Sequence, residues 1–222
     1  MPVYNFDEVA GVYDAYYETM MGRQVDHVEK QLVWKYMTRM SLEKPLLEIG
    51  CGTGHWTRFF RQKGFKLTAI DLSEKMLEKA KQKNPENVHF EKMNVEEMKF
   101  KDLTFENIVM ITTLEFVENR DQAFLEIDRI LKPGGFLLVG CLNELSEMGR
   151  QKMENEIYRD AHFFQPEELK KHLSLLGEPE MDGCAIIEKG RVLDYPDIDQ
   201  VDPAIRLTRS AFLVGLVKKS RS

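Results

Sequence analysis

Apolar residues recur along this chain with two different periods. Val25, Val28, Leu32, Tyr36 and Met40 step by three, four, four and four, which places them on one face of a helix ending before Lys44-Pro45. A short apolar run, Pro45-Leu-Leu-Glu-Ile49, follows and closes on Gly50-Cys-Gly-Thr-Gly54, after which His55 to Lys63 reads as helix up to Gly64. This unit of strand, tight loop and helix then repeats. Leu67-Thr-Ala-Ile70 is strand-like and ends at Asp71, and Ser73 is placed to cap a helix carrying Met76, Leu77 and Ala80. Glu74 near that helix's start and Lys79, Lys81 and Lys83 near its end match the helix dipole.

Val88 to Phe90 is a third short strand and Ile108-Val-Met-Ile111 a fourth. Asn119 with Gln122 opens a helix in the manner of a capping box, with Phe124, Ile127, Ile130 and Leu131 facing inward and Pro133-Gly-Gly135 as its stop. Phe136-Leu-Leu-Val139 is the fifth strand. Continuous apolar runs suit a parallel sheet buried on both faces, and their alternation with helices predicts a doubly wound α/β fold. Beyond residue 142 the pattern changes. Pro166-Glu-Glu168 opens a helix with Leu169, Leu173 and Leu176 inward, ending at Gly177. Two extended stretches, Ala185 to Ile187 and Ala211 to Val217, carry no helix signal between them and are expected to pair antiparallel. The polar segments 143–165 and 190–206 read as excursions over the sheet, where ligand-contacting loops lie.

At 222 residues and 43% apolar content the chain can bury the core of one α/β domain. Its net charge of −6 disfavours nucleic acid, whose phosphates it would repel. No apolar run nears the roughly 20 residues of a membrane helix, and Met1 to Glu8 lacks the basic and apolar blocks of a signal peptide, so no membrane partner and a cytoplasmic location are expected. Cys51, Cys141 and Cys184 are an odd number at no metal-ligand spacing and read as buried small hydrophobes, and no metal is expected.

The chemistry concentrates at the first loop. Glycines at 50, 52 and 54 let backbone approach a ligand, and the helix that follows presents free N–H groups. A dinucleotide fingerprint would require glycine at 55, where this chain has His55. Asp71 ends the second strand 17 residues after Gly54, where a carboxylate can accept both hydroxyls of a ribose lying across the strand ends.

With these residues the chain resembles the class I S-adenosylmethionine-dependent methyltransferases. The resemblance rests on Leu46-Leu-Glu-Ile-Gly-Cys-Gly-Thr-Gly54, Ile70-Asp-Leu-Ser73 with Met76-Leu77, Asn94-Val-Glu-Glu97, Phe105 and Ile130-Leu-Lys-Pro-Gly-Gly-Phe136. The flanks Phe6-Asp7, Tyr13-Asp14, Thr112-Thr-Leu-Glu-Phe-Val117 and Arg159-Asp-Ala-His-Phe163 look like its small-molecule branch. It implies a Rossmann-like, mostly parallel sheet of about seven strands with an antiparallel C-terminal pair, forming a single domain over 1–222 with an N-terminal helical lid over 1–43. S-adenosylmethionine is the implied cofactor, leaving as S-adenosylhomocysteine. Glu48, with Gly50, Cys51, Gly52 and Gly54 of the loop, would hold its methionine end, Asp71 its ribose, and Leu72 and Met76 its adenine. Asn94 stands where many relatives carry an aspartate, and the backbone of Val95 and Ile111 would complete the contacts. Ile111-Thr-Thr-Leu114 departs from the motif of enzymes that methylate nucleic acid bases, which points to a small-molecule acceptor.

Transfer from a sulfonium needs alignment and exclusion of water more than a strong base, so a lid is expected. Its candidates are the N-terminal segment with Tyr13, Tyr17 and Arg23, the segment with Thr113, Glu115 and Phe116, and the excursion around His162, with Tyr17 and Phe116 shaping the acceptor pocket. His55, His162 and His172 read as helix-face or surface residues. Competing readings are a nicotinamide-dependent oxidoreductase, against which His55 speaks, and a noncatalytic nucleotide-binding module.

Overall fold

Every residue of β1 (Leu46–Ile49) is buried, the condition of a central parallel strand covered on both faces. The computed structural model in which it sits describes residues 4–84, 86–188, 190–194 and 197–220. β1 pairs in parallel with β2 (Leu67–Asp71) on one side and β4 (Phe105–Ile111) on the other. β3 (Val88–Lys92) extends the sheet beyond β2, and β5 (Leu131–Leu142) extends it beyond β4, both in parallel. The last strand, β9 (Phe212–Lys218), inserts antiparallel between β5 and the edge strand β6 (Pro179–Cys184). The seven strands thus run in the order β3-β2-β1-β4-β5-β9-β6. The direction of winding reverses between β1 and β4, and the crevice at their carboxyl ends is where open α/β sheets bind ligands.

Helices cover both faces. On one face α2 (Met20–Met37) lays Val25, Val28, Leu32, Val33, Tyr36 and Met37 against the sheet, beside Trp56 and Phe60 of α3 (His55–Gln62). The short α1 (Ala15–Glu18) precedes α2, and α4 (Glu74–Lys83) adds Leu77 and Ala80 over Cys51 and Ala69. On the other face α5 (Arg120–Ile130) and α7 (Pro166–Leu173) contribute Phe124, Ile127, Leu169 and Leu173 to the larger core cluster. Three caps read from the sequence are made as hydrogen bonds or proline starts: Ser73 accepts from the Met76 N–H, Asn119 from the Gln122 N–H, and Pro166 opens α7. All three cysteines are buried thiols.

The structure corrects the C-terminal reading. β9 pairs with Pro179 to Cys184, not with Ala185 to Ile187. Ala185 has φ +59°, a left-handed turn that ends the strand, and Ile187–Glu188 (β7) folds instead onto Arg191–Val192 (β8). Polar Glu180 and Asp182, with Pro179 at its start, mask the edge strand. A helix does lie between the two stretches, α8 (Pro203–Arg209), capped by the Asp202 carboxylate on the Ala204 and Ile205 N–H groups. The excursion 143–165 holds the single turn α6 (Glu147–Arg150); Tyr195 and Pro196, in the 190–206 excursion, lie outside the described residues, as do Met1 to Val3. α5 ends at Ile130, one residue before Leu131, which already pairs with Phe105; the Pro133-Gly-Gly135 turn lies within β5 as a shift of register. Of the N-terminal segment, α2 is a core helix on the sheet, and only the residues before α1 reach the crevice.

Candidate active site

Gly52 and Gly50 do different work in the loop after β1. Both have positive φ, +52° and +72°. A Cβ on Gly50 would stand 2.2 Å from the Thr113 side chain, so this glycine lets the ends of β1 and β4 approach. A Cβ on Gly52 would meet nothing within 4 Å; it would enter open space. Gly54 is structural, since its Cβ would lie 2.6 Å from the Asn84 side chain. The Thr113 hydroxyl lies within 2.9–3.3 Å of the Ile111, Gly50 and Ile49 carbonyls and ties the two strand ends together. Thr112, beside it, has φ +44°, which is strained for a β-branched residue.

That open space is a cavity of about 530 Å³ over the crevice. It is lined by the loop at Gly50 and Gly52, the end of β2 at Asp71 and Leu72, Met76 of α4, the segment after β3 at Asn94 and Val95, and Thr113 with Phe116 after β4. Asp71 Oδ2 accepts the Gly52 N–H at 2.7 Å and Oδ1 the Ser73 N–H at 2.8 Å. Burial raises the Asp71 pKa, and the donors at Ser73, Gly52 and Leu72 oppose that rise. Each oxygen keeps a lone pair for a further donor from the cavity. Leu72 is 45% exposed, unusual for leucine, because its side chain faces this cavity. The Asn94 Oδ1 accepts the Glu96 N–H at 3.0 Å, so its oxygen is shared with a local turn.

The chain's own N-terminal segment walls the outer side. Tyr4, Asn5, Phe6, Asp7 and Tyr13 line the cavity. Asp7 accepts from the Ser73 hydroxyl and from the Lys75 N–H, which lowers its pKa, and Asp14 accepts the Thr53 hydroxyl at 2.7 Å and pairs with Lys83. Phe6 meets Phe116 edge-on with centroids 4.8 Å apart. Asp7, Phe6, Ser73 and Met93 are lining residues that the sequence reading does not single out for the site; the first two stand in the N-terminal motif that carries the resemblance.

Several expected site residues lie elsewhere. Glu48 is buried beneath the loop, where its carboxylate accepts the Thr57 hydroxyl at 2.6 Å and burial pushes its pKa up to about 8. Cys51 within the loop and Ile111 at the end of β4 are core residues, and neither they nor Gly54 line the cavity. Arg23 donates to the Glu18 carbonyl on the surface. Glu115 is fully buried, and its Oε1 accepts the Leu142 N–H at 2.6 Å. The His162 ring is 2.7 Å from Glu168, away from the cavity. Tyr17 stacks on His55 at 3.7 Å and 6°, and His55 Nε2 lies 2.7 Å from Asp26 Oδ1 and 2.8 Å from Lys30 Nζ. His55 is therefore a part-buried anchor of the N-terminal segment and not a plain helix-face residue.

A glycine loop with open space above one glycine, a strand-end carboxylate and a mostly parallel sheet wound on both sides of β1 define a class of nucleoside-binding transferases. Residues 47–139 match a family described as a methyltransferase domain. The chain belongs to the class I S-adenosylmethionine-dependent methyltransferases and uses S-adenosylmethionine. It is similar to the structure of an S-adenosylmethionine-dependent methyltransferase, possible histamine N-methyltransferase, from Thermotoga maritima, at 26% identity and a TM-score of 0.76, covering 97% of this chain and 98% of that one. It is 27% identical to an uncharacterized protein of Methanocaldococcus jannaschii over 89% of this chain and 88% of the relative. It is 25% identical to malonyl-[acyl-carrier protein] O-methyltransferase of Serratia marcescens, over 87% of this chain and 71% of the relative. Membership of this family sets aside the oxidoreductase and noncatalytic readings.

Proposed function

We propose that the cavity holds S-adenosylmethionine and that the chain transfers its methyl group to a small-molecule acceptor by in-line displacement. The observation that carries this reading is the open space over Gly52 beside the Asp71 carboxylate, walled from outside by residues 4–13. Asp71 would accept from the ribose hydroxyls, Leu72 and Met76 would pack on the adenine, and the free backbone around Gly50 and Gly52 would border the methionine end. Asn94 and Val95 would bound the base. Glu48 and Gly54 would act by holding the loop's shape. The bound cofactor supplies an activated methyl group with a neutral leaving group; the protein aligns the acceptor and excludes water.

A small acceptor is favoured because the acceptor side is closed by the chain itself. Asp7 and Asp14 pin the N-terminal segment across the cavity, and a nucleic acid would have to displace it against a net charge of −6. The named relatives include an O-methyltransferase and a possible N-methyltransferase, so they support transfer to differing atoms. Among the described residues no helix is long and apolar enough to cross a membrane. The test is calorimetric titration with S-adenosylhomocysteine, followed by a metabolite screen for methyl transfer from S-adenosylmethionine. Saturable binding and a methylated metabolite are expected. Absence of S-adenosylhomocysteine binding would overturn the site.

A further inference from the structure

A second groove, of about 720 Å³, opens at the other end of the sheet, where the amino ends of β1, β2 and β3 meet the end of α3. It shares no lining residue with the active-site cavity. Arg61, Lys66 and His89 line it, and no Asp or Glu does. Among the described residues the Lys66 side chain has no hydrogen-bond or ion-pair partner. The Arg61 side chain makes one hydrogen bond there, to the Glu86 carbonyl at 3.3 Å, and pairs with no carboxylate. The His89 ring lies 3.7 Å from the Glu91 carboxylate.

The groove sits in the basic part of an acidic chain. Residues 55–92, which build α3, β2, α4 and β3, carry nine Lys and Arg against five Asp and Glu, a net +4, while the rest of the chain carries 22 against 32, a net −10. That asymmetry draws anions to this face. Other cations of the same stretch are engaged: Lys83 pairs with Asp14, Lys92 with Glu74, and Lys63 lies over the Trp34 ring. Guarding the edge strand β3 does not account for the groove, because guard charges stand on the edge itself, as His89 and Lys92 do, whereas Arg61 belongs to α3 and Lys66 precedes β2. The dipole of α3 favours Arg61 in its last turn but leaves Lys66, beyond the helix, without a reason.

Donors outnumber acceptors around this groove. Thr68 and His89 are register partners on β2 and β3, which sets their side chains beside each other on one face of the sheet. The Thr68 hydroxyl and the Asn87 amide also line the groove, and neither makes a side-chain hydrogen bond to a described residue. A phosphate monoester brings close to two negative charges and three strong acceptor oxygens, which a guanidinium, an ammonium and neighbouring neutral donors match. A monocarboxylate would use less of that charge, and a neutral compound none. Pro45 and Val88 add apolar surface for a carbon body. We propose that the groove binds a small phosphate monoester, its phosphate held by Arg61 and Lys66 with Thr68 and His89 as further donors, and its carbon body over Pro45 and Val88. This site stands apart from the methyl-transfer reading, and neither depends on the other.

The test is calorimetric titration of the full chain at low ionic strength with phenyl phosphate, benzoate and benzyl alcohol, with and without saturating S-adenosylhomocysteine. Phenyl phosphate should bind at least about tenfold more tightly than the other two, and equally well in both conditions. Arg61→Gln, which keeps an amide N–H for the Glu86 carbonyl, and Lys66→Gln, an exposed change, should each weaken it at least about threefold. Lys81→Gln removes an exposed cation of α4 outside the groove and should leave the affinity unchanged. Absence of saturable binding, or benzoate binding as tightly as phenyl phosphate, would overturn the proposal without reference to any variant. An equal loss in Lys81→Gln would overturn it by reducing the effect to general attraction, and displacement by S-adenosylhomocysteine would do so by placing phenyl phosphate in the cofactor cavity. If S-adenosylhomocysteine fails to bind the wild-type protein, the cofactor reading falls, and the titrations without it still decide this inference.

Discussion

The Asp71 carboxylate and the Gly52 N–H are joined by a 2.7 Å hydrogen bond between the end of β2 and the loop after β1. The residue proposed to hold the ribose therefore also fixes the backbone proposed to border the methionine end. Asp71→Ala should weaken S-adenosylhomocysteine binding at least tenfold, since two charge-assisted hydrogen bonds contribute roughly 1.5–3 kcal/mol each. Calorimetry on a folded variant checks this; unchanged affinity would remove Asp71 from the site. Gly52→Val should also bind poorly, because its side chain would enter the cavity from a backbone at φ +52°.

Asp7 and Asp14 hold the N-terminal segment over the cavity through Ser73 and Thr53. If that segment closes on bound cofactor, Asp7→Ala and Asp14→Ala should each speed S-adenosylhomocysteine release several-fold, in proportion to hydrogen bonds with a net value of about 0.5–1.5 kcal/mol. Stopped-flow displacement measures the rate. A release rate equal to that of the wild type would show that the segment is only packing.

Three buried carboxylates set the direction of the pH response. The pKa values of Glu29 and Glu48 are each raised to about 8, and that of Glu115 to about 7, in the folded chain, above an unfolded value near 4.5. The native state therefore binds more protons than the unfolded state in this window, and stability falls as pH rises toward 8. Burial of His172 lowers its pKa and works the other way below about 6.5, so the clean window is pH 6.5–8. Each acid sets an upper bound of about 1.4 kcal/mol per pH unit. Thermal melts of the ligand-free protein should fall across this window. Glu29→Gln and Glu48→Gln should flatten the slope, the second variant keeping an amide oxygen that can accept from the Thr57 hydroxyl. A flat wild-type profile would show that all three acids are already relieved of their burial.

The central strands β1, β2, β4 and β5 were legible because burial makes them read as apolar runs, the first two closed by Gly50 and Asp71, whereas the half-buried edge strand β3 carries a weaker signal. The residues proposed for the cofactor side were readable from the same pattern: Gly50, Gly52 and Asp71 follow directly from the ends of β1 and β2. β6 was not, because an edge strand tolerates Pro179, Glu180 and Asp182, and polarity erases its signal. α8 carried a readable start in Asp202-Pro203, which the extended flanks concealed. Glu29 also left a trace, an acid four residues from both Val25 and Val33 on an apolar stripe. Periodicity alone cannot tell such an acid from one at the rim of the stripe; the packing of α2 against the sheet decides it. Position in the chain brings Tyr17 and His162 toward the pocket, whereas stacking on His55 and pairing with Glu168 turn them elsewhere.

That geometry sharpens the expectation about proton transfer. Glu115 is raised to a pKa of about 7 by burial, a value suited to a base, but one oxygen is occupied by the Leu142 N–H and neither its side chain nor that of His162 lines the cavity. Glu115→Gln keeps an oxygen to accept from Leu142 and removes only the titrating group; His162→Ala removes a ring whose partner is Glu168. Once an acceptor is in hand, both variants should lower kcat by less than about 10²-fold, the low end of general-base effects. Alignment of the acceptor against the activated methyl group then accounts for the rate. A far larger loss in one variant, with cofactor and acceptor affinities preserved, would make that residue the base and refute a mechanism of alignment alone.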